Sequence, residues 1–415
     1  MRRSPGKSLK LFIVILLLKI TPCFGYSVLT HEALIDANWD KILMPLIKQK
    51  FPGATAEELR KAHAFAYGGA VAPDLGYYPF GSKLFTNLVH YVRSGDFIED
   101  LFKEAKDINE YAFALGVLCH YYADQYGHAV GVNRSVPLIY PEMKNKFGNT
   151  VTYADDKISH LRTEFSFDVL QTARGNYASE VYHDFIGFRV SKDLLEKAFQ
   201  KTYGLEVRDL FGDFDRAVGT FRWAVKSLFP TLTKAAWKTR GDEIRKLNSS
   251  AVRHNYVYRI RRHDYFSEFG KQREKNSFGA TILSFFIRIA PKIGPLKVLK
   301  FRTPSPETEK IFIESFDATI LNYTNGIVNV KNGNIDLVNI DWDTGKKTMQ
   351  YEYRLADRAY SDWVIKLKEN NFETVSSSIK EEILSFYKNY SADAAVDVAQ
   401  WQQTTTALEE LKMKK

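Results

Sequence analysis

The sequence predicts an all-α fold. Apolar residues recur at three- and four-residue spacing along most of the 415 residues, as they do in amphipathic helices. One stretch, residues 111–128, is apolar around its whole circumference, which is typical of a helix buried in a core. Turn-forming residues are concentrated in residues 332–348, where a short hairpin is predicted. With 45% hydrophobic residues, the chain can form one large domain or two ordinary ones.

Residues 1–25 have the features of a secretory signal peptide. A basic start is followed by an apolar run, residues 11–18, which is too short to cross a bilayer. Cleavage is expected after Gly25, which would make Tyr26 the first residue of a secreted or periplasmic protein. Lipid attachment at Cys23 is the alternative, and the proline before that cysteine argues against it.

Charge and cysteine content limit the classes of function. The chain has 58 basic and 49 acidic residues, and loss of the five basic residues of the signal would leave a net charge of +4. That charge is too small to indicate nucleic acid or anionic lipid as a partner. The same cleavage would leave one cysteine, Cys119, which excludes a disulfide framework and is predicted to be a buried thiol.

Two helices are predicted before the central one. Thr30 is the expected N-cap of a helix that runs past Trp39, with His31 in its first turn. Thr55 and Glu58 are spaced as a capping box, and they should open the second helix.

The second helix is followed by a loop and a further apolar stretch. It carries His63, which is predicted to have no acidic partner and to be a core histidine. Residues 72–82 contain two prolines, two glycines and three aromatic residues around Asp74, which is the composition of a loop. His90 lies in the apolar stretch after that loop.

The central helix carries His120, Asp124 and His128 at four-residue spacing, so that their side chains lie on one face. An ionised aspartate buried there without a partner would cost several kcal/mol. A hydrogen-bonded histidine–aspartate pair is one way to compensate that charge, and a divalent cation is the other.

Further helices are predicted after the central one. A helix beginning near Thr152 carries His160 and Glu164 four residues apart, with Asp168 one turn further on. The amphipathic helices predicted beyond it span residues 209–228, 231–247, 308–322, 355–368, 377–390 and 394–412. Residues 277–301 are apolar and basic; a buried connector is predicted there, with contact to a membrane surface as the alternative.

Eight side chains between residues 31 and 164 are candidate metal ligands. They are His31, Asp74, His90, His120, Asp124, His128, His160 and Glu164. Imidazole and carboxylate ligands together suit zinc, with bonds of about 2.0–2.2 Å. Eight ligands exceed the needs of one tetrahedral ion, so two or three ions are expected.

Five motifs that carry these residues resemble the zinc-dependent phospholipase C family. They are YSVLTH, APDLGYYP, NLVHY, LGVLCHYYADQYGH and HLRTE, in this order, from Tyr26 to about Asp168. The family is related to the fungal zinc nucleases and to the catalytic domain of glycosylphosphatidylinositol-specific phospholipase D. The spacing between Asp124 and His128 looks more like the phospholipase D relative than the short bacterial phospholipases. Residues after about 250 add nothing to the match.

The resemblance implies three zinc ions. The first would be held by Asp74, His90, His120 and Asp124. The second would be held by His128, His160 and Glu164. The third would take His31, Asp124 as a bridge, and the amino nitrogen and carbonyl oxygen of Tyr26. The family usually begins with tryptophan where this chain has Tyr26, but backbone ligands do not depend on the side chain.

The resemblance also implies a fold and a reaction. It implies a multi-helical zinc-dependent phospholipase C-like core over residues 26–250, with a mostly helical C-terminal extension over residues 251–415. The reaction is hydrolysis of a phosphodiester by a zinc-activated water, and Asp74 would both bind zinc and accept the water's proton. The aromatic residues of the same loop, Tyr77, Tyr78 and Phe80, either line a head-group or base pocket or pack in the core.

Three hypotheses of function follow. The first is a secreted phospholipase C that acts on glycerophospholipids, with contact to a membrane surface. The second is a nuclease-type or phospholipase D-type phosphodiesterase that uses the same site, and the small mature charge argues against the nucleic acid substrate. The third is a binding protein that has lost activity, which the complete ligand set argues against. No stable protein partner is inferred.

Overall fold

The computed structural model describes residues 28–174, 188–225, 241–246, 300–388 and 398–414. Within these ranges the chain is helical, with no strand, which confirms the all-α prediction. The hairpin predicted in residues 332–348 is reduced to an isolated antiparallel bridge between Ile340 and Lys347. None of the described helices is long and apolar enough to cross a membrane. The predicted signal peptide and nearly all of residues 277–301 lie outside the described ranges.

Nine α-helices, one 3₁₀ turn and two π turns span the described residues up to 174. The α-helices are α1 (Val28–Asn38), α2 (Met44–Lys50), α3 (Ala56–Val71), α4 (Lys83–Tyr91), α5 (Ser94–Glu104), α6 (Ile108–Tyr126), α7 (Asn133–Ile139), α8 (Pro141–Phe147) and α9 (Lys157–Arg174). A 3₁₀ turn spans Ala72–Tyr77, and π turns span Trp39–Leu43 and Gly127–Val132.

The later described helices are mostly those that the sequence predicts. They are α10 (Lys192–Tyr203), α11 (Val207–Leu210), α12 (Phe214–Trp223), α13 (Pro306–Lys331), α14 (Arg354–Glu369), α15 (Ser377–Phe386) and α16 (Val398–Met413). Helix α13 is longer than predicted, and the helix predicted at 209–228 is divided between α11 and α12. Of the helix predicted at 231–247, only residues 241–246 are described, and they are helical.

One predicted helix start is confirmed and one is wrong. The Glu58 backbone N–H donates to Thr55 Oγ1 at 3.2 Å, and the Thr55 N–H donates to Glu58 Oε2 at 2.8 Å, which completes the capping box. Thr30 is not an N-cap, because α1 already includes Val28. Its hydroxyl instead donates to Asp168 Oδ1 at 2.9 Å, so a tertiary contact uses the group that was expected to cap the helix.

Helices α3 and α6 pack backbone against backbone. A Cβ on Gly69 would clash with the Phe113 carbonyl oxygen, and a Cβ on Gly116 would clash with that of Ala66. Glycine at these two positions therefore lets the helices approach more closely than side chains would allow. The close approach fixes the position of α6 relative to α3, and α6 carries His120 and Asp124.

The C-terminal helices pack on the N-terminal half. Helix α13 lies against α6, and its Tyr323 hydroxyl donates to the Leu115 carbonyl oxygen at 2.9 Å. Helix α14 packs on α4 and reaches the end of α10, where the Trp363 indole N–H donates to the Tyr203 carbonyl oxygen at 2.8 Å. The division near residue 250 stays a prediction, and these buried contacts cross it.

Replacing Gly116 by alanine should destabilise the fold by about 1–3 kcal/mol, because the new methyl group meets the α3 backbone rather than a flexible side chain. Gly219→Ala is the matched control. Gly219 also lies inside a helix, but nothing lies within 4 Å of an added Cβ, so the change should be neutral or stabilise by up to about 1 kcal/mol. Urea unfolding of the two variants measures both effects. Equal free energies of unfolding would show that α3 and α6 are not packed this closely.

Candidate metal centre

Eight buried side chains from separate elements meet in one place. They form three groups in which one nitrogen or carboxylate oxygen per residue lies within 4.8 Å of the others. The groups are His31, His120 and Asp124; Asp74, His90 and His120; and His128, His160 and Glu164. None of these side chains is more than 3% exposed. All eight candidate side-chain ligands from the sequence are therefore brought together, although they span 134 positions of the chain.

Asp124 lies at the middle of this cluster and is completely buried. Its Oδ1 lies 3.4 Å from His31 Nε2 and 3.6 Å from His128 Nε2. Its Oδ2 lies 3.4 Å from His90 Nε2 and 3.1 Å from His120 Nε2. Neither oxygen has a hydrogen-bond partner of acceptable geometry among the described residues. Four imidazole nitrogens thus face one carboxylate without satisfying it.

The spacing of these atoms suits zinc ions between them. Zinc bonds of about 2.0–2.2 Å in a tetrahedron place neighbouring ligand atoms about 3.3–3.6 Å apart. The contacts of Asp124 with the four imidazoles range from 3.1 to 3.6 Å. His90 Nε2 lies 3.4 Å from Asp74 Oδ1, which has no hydrogen-bond partner among the described residues either. The donor set and its orphaned buried atoms therefore fit the group that the family implies.

His128 lies in the π turn Gly127–Val132, directly after the last turn of α6. Single π turns inside helices occur often at functional sites, because they redirect a side chain without ending the helix. Here the two ring nitrogens of His128 face different carboxylates. Nε2 lies 3.6 Å from Asp124 Oδ1, and Nδ1 lies 3.7 Å from Glu164 Oε1. The turn thus links the Asp124 group to the Glu164 group.

The third group is centred on Glu164 in helix α9. His160 is one turn earlier in the same helix, and its Nδ1 lies 2.7 Å from Glu164 Oε1. Neither oxygen of Glu164 has a hydrogen-bond partner among the described residues. Burial raises the pKa of Glu164 well above its ordinary value, and the nearby Asp124 carboxylate raises it further. A cation held here would favour the ionised carboxylate.

Hydrogen bonds behind the cluster orient three of the imidazoles. The Nδ1 atom of His90 lies 2.9 Å from the Thr86 carbonyl oxygen, and that of His120 lies 2.7 Å from the Ala70 carbonyl oxygen. Because a carbonyl oxygen only accepts, each Nδ1 carries the proton, and each Nε2 presents its lone pair to the cluster. This is the arrangement that metal-binding histidines usually have. His160 is oriented in the opposite sense, with Nε2 located 2.8 Å from the Asn133 side-chain oxygen.

The pKa shifts show a site that favours positive charge beside its carboxylates. Burial alone would lower the pKa of His90, but Asp124 and Asp74 raise it to about 10. Burial also opposes ionisation of Asp124, but His120 and His128 hold its pKa well below the ordinary value. Protons can supply that positive charge, and so can a divalent cation bound to neutral imidazoles.

Burial and neighbouring imidazoles keep two other histidines neutral. Burial lowers the pKa of His31, and His120 lowers it further. Burial likewise lowers the pKa of His160 well below its ordinary value, and His128 adds to that effect. Neutral imidazole is the form that binds a metal.

The sequence also singled out Tyr26, His63 and Cys119. Tyr26 is outside the described residues. His63 is buried as predicted, but the prediction that it lacks an acidic partner is wrong, because its Nε2 lies 3.2 Å from Asp36 Oδ1 on α1. Its ring is also stacked on Trp39 at 3.8 Å. Cys119 is completely buried, and burial raises the pKa of its thiol well above the ordinary value, as expected for a structural thiol.

The aromatic residues of the Asp74 loop have different environments. Tyr78 is buried and stacked on Phe221 at 4.0 Å, which is a packing contact. Phe80 is 42% exposed and lies 3.8 Å from the Arg216 guanidinium. The ring of Tyr77 lies edge-on to His90 at 6.2 Å, so Tyr77 is the member of the set that borders the cluster.

Two residues at the cluster were not predicted from the sequence. Asn133 accepts from His160, and the Trp342 ring lies 4.6 Å from that of His90 and 5.1 Å from that of His120. Neither residue lies at helical spacing from a ligand, so no local pattern indicates them. Trp342 lies in the stretch for which only a hairpin was predicted.

The comparison with protein families agrees with this geometry. The family model described as zinc dependent phospholipase C matches residues 30–212, which include all eight clustered side chains. Comparisons with curated proteins and with solved structures gave no match. The family catalyses hydrolysis of phosphoric diesters with zinc, and the clustered imidazoles and carboxylates are the donors that such a centre needs. The match over residues 30–212 supports a zinc-dependent phospholipase C family domain there, and with it a phosphoric diester hydrolase.

Proposed function

We propose that this protein is a secreted phospholipase C that hydrolyses glycerophospholipids at a centre of three zinc ions. The observation that supports the centre best is the completely buried Asp124 carboxylate, which faces four imidazole nitrogens at 3.1–3.6 Å and accepts no well-formed hydrogen bond from the described residues. The family supports the phospholipid substrate. Among the described residues, no other group of three or more possible ligand side chains lies close enough together to hold a metal ion.

The proposed ligand sets keep the assignment that the family motifs imply. Asp74, His90, His120 and Asp124 would hold the first ion; His128, His160 and Glu164 the second; and His31, Asp124 and the Tyr26 backbone the third. The bridging role of Asp124 is supported by its two oxygens, which face different imidazoles: Oδ1 faces His31 and Oδ2 faces His90 and His120. His120 belongs by distance to two groups, so its ion is assigned by the motif rather than by distance.

The chain's own residues would bind the phosphodiester and accept the proton of the attacking water. When bound, zinc supplies an activated water and neutralises charge that develops on the phosphoryl group. Asp74 would accept the proton of that water, since its Oδ1 is buried and has no hydrogen-bond partner among the described residues. Tyr77 borders the cluster and would contact the head group. Burial of all eight ligands excludes bulk water and strengthens the electrostatic contacts.

A nuclease-type or phospholipase D-type reaction on the same site is the second candidate. The ligand chemistry is common to all three reactions, so the substrate must distinguish them. The net charge of +4 on the mature chain favours a lipid over a nucleic acid, because nucleic acid binding depends on neutralising many phosphates.

Product analysis tests the substrate. The mature protein should convert phosphatidylcholine vesicles into diacylglycerol and the phosphorylated head group, and a chelator should abolish that conversion. Single-stranded DNA under the same conditions is the comparison. Release of phosphatidic acid would show phospholipase D-type cleavage instead, and mononucleotides without lipid products would show a nuclease.

Zinc analysis tests the bridge. Asp124→Asn should remove zinc from two positions, because its carboxylate is shared, whereas Glu164→Gln should remove zinc from one. His63→Gln is the control, since His63 is buried beside Asp36 and lies outside all three groups. Atomic absorption of the purified variants gives the ion counts, and circular dichroism checks their helical content. Equal zinc loss from Asp124→Asn and Glu164→Gln would rule out the bridge.

The N-terminus offers a separate test of the third ion. If Tyr26 supplies its amino nitrogen, a protein that begins at Tyr26 should bind three zinc ions, whereas one that keeps a Gly-Ser extension should bind two and lose most activity. An amide nitrogen is a much poorer zinc ligand than a free amine, which is the reason for the difference. Both proteins can be released from the same fusion by different proteases. Equal zinc content and activity would show that the third ion is absent or is held by other ligands.

A further inference from the structure

A segment outside the family match lies directly behind the cluster. Residues Ile340 to Tyr353, here called the brace, are the second part of the connection between helices α13 and α14, and they follow the matched residues 30–212 by more than 100 positions. The brace is anchored to the start of α5, where the Ser94 hydroxyl donates to the Ile340 carbonyl oxygen at 2.7 Å. It therefore has a fixed position relative to the helices that carry the candidate ligands.

The first contact of the brace is Trp342. This side chain is completely buried, and its ring lies 4.6 Å from that of His90 and 5.1 Å from that of His120. The Trp342 backbone N–H also donates to the His90 carbonyl oxygen at 3.1 Å. The indole thus fills the space beside two imidazoles whose Nδ1 atoms are already held by carbonyl oxygens. With Trp342 in place, the rings cannot rotate away from Asp124.

The second contact passes through Asn133. Its side-chain Nδ2 donates to the Asp343 carbonyl oxygen at 2.7 Å, and its Oδ1 lies 2.8 Å from His160 Nε2. Only one orientation of the amide satisfies both contacts, since a carbonyl oxygen cannot donate. The brace therefore determines that Asn133 presents its oxygen to His160. His160 must then carry its proton on Nε2, which leaves Nδ1 as a lone pair beside Glu164.

The Asp343 side chain holds the brace in that register. Its Oδ2 accepts hydrogen bonds from the Tyr91 hydroxyl at 2.8 Å and from the Tyr353 hydroxyl at 2.5 Å. Tyr91 follows His90 in helix α4, so the Asp343 side chain connects the brace to the element that carries His90, while the Asp343 backbone carbonyl oxygen connects it to His160 through Asn133. All three residues are buried.

We propose that the brace positions His90, His120 and His160 for zinc, through Trp342 and through the contact between Asp343 and Asn133. The inference rests on the proposed zinc centre and assigns to this chain a part of that centre that the family match does not cover. Asn133 and Trp342 are positioning residues, because each acts through an imidazole. The alternative is that these buried residues only stabilise the fold.

The Asn133 contact is tested by zinc affinity. Asn133→Leu removes the acceptor of the His160 proton and is expected to weaken zinc binding at the His128, His160 and Glu164 group by about 10–100-fold, the usual effect of losing such a partner. Asn133→Asp keeps an acceptor opposite His160 but cannot donate to the Asp343 carbonyl oxygen, so it should recover only part of that affinity. Competition with a chromophoric chelator measures all three proteins. Equal zinc affinity for Asn133→Leu and the wild type would show that Asn133 does not position His160.

The Trp342 contact has a matched control in Trp363. Trp342→Phe removes ring volume but no hydrogen bond to the described residues, whereas Trp363→Phe removes a hydrogen bond to Tyr203 as well. Both indoles are fully buried. If the residues only stabilise the fold, Trp363→Phe should lose at least as much zinc as Trp342→Phe. The proposal predicts a loss of zinc affinity of about tenfold in Trp342→Phe and none in Trp363→Phe.

These outcomes separate the brace from the zinc centre itself. If the wild-type protein binds no zinc, the proposed function and the brace are both wrong. If the wild type binds zinc and Asn133→Leu and Trp342→Phe bind it equally well, the brace alone is wrong. Urea unfolding of each variant in chelator measures stability without metal. Should Asn133→Leu not fold, the tryptophan pair decides the question.

Discussion

The structure depends on a carboxylate that has no contact with water. Asp124 is completely buried on a core helix, and isolating an ionised group there without compensation would cost several kcal/mol. Imidazole nitrogens approach both of its oxygens at 3.1–3.6 Å, too many for each to form a good hydrogen bond. Cations placed between them resolve the conflict, because each ion satisfies the carboxylate and several imidazoles at once. The five other helices and turns that carry candidate ligands are arranged around Asp124.

The scaffold meets the requirement with backbone contacts rather than with flexible side chains. Gly69 and Gly116 let α3 and α6 pack closely, and the Ala70 carbonyl oxygen of α3 then fixes the tautomer of His120. The Thr86 carbonyl oxygen does the same for His90. A ligand held by main-chain atoms loses little conformational entropy when the ion binds. The brace completes this arrangement from the opposite end of the chain.

Much of the site could be predicted from the sequence, because its signals are local. Spacing of four residues identifies the pairs in α6 and α9, and short motifs identify the ligands in the loops. The contacts that could not be predicted connect distant positions. Asp343 and Asn133 are 210 positions apart, and Thr30 donates to a residue 138 positions away. No period relates such residues, so the Thr30 cap was wrong and the role of Trp342 was not predicted.

Diffraction from crystals of the mature protein, collected above and below the zinc absorption edge, tests the central claim most directly. The account predicts three anomalous peaks that vanish below the edge: one between Asp74 and Asp124, one beside His31 and one at Glu164. The peaks at the first two positions should share Asp124 as a ligand. A well-ordered structure without a zinc peak near Asp124, in which the Asp124 oxygens accept hydrogen bonds from protonated imidazoles, would contradict the account.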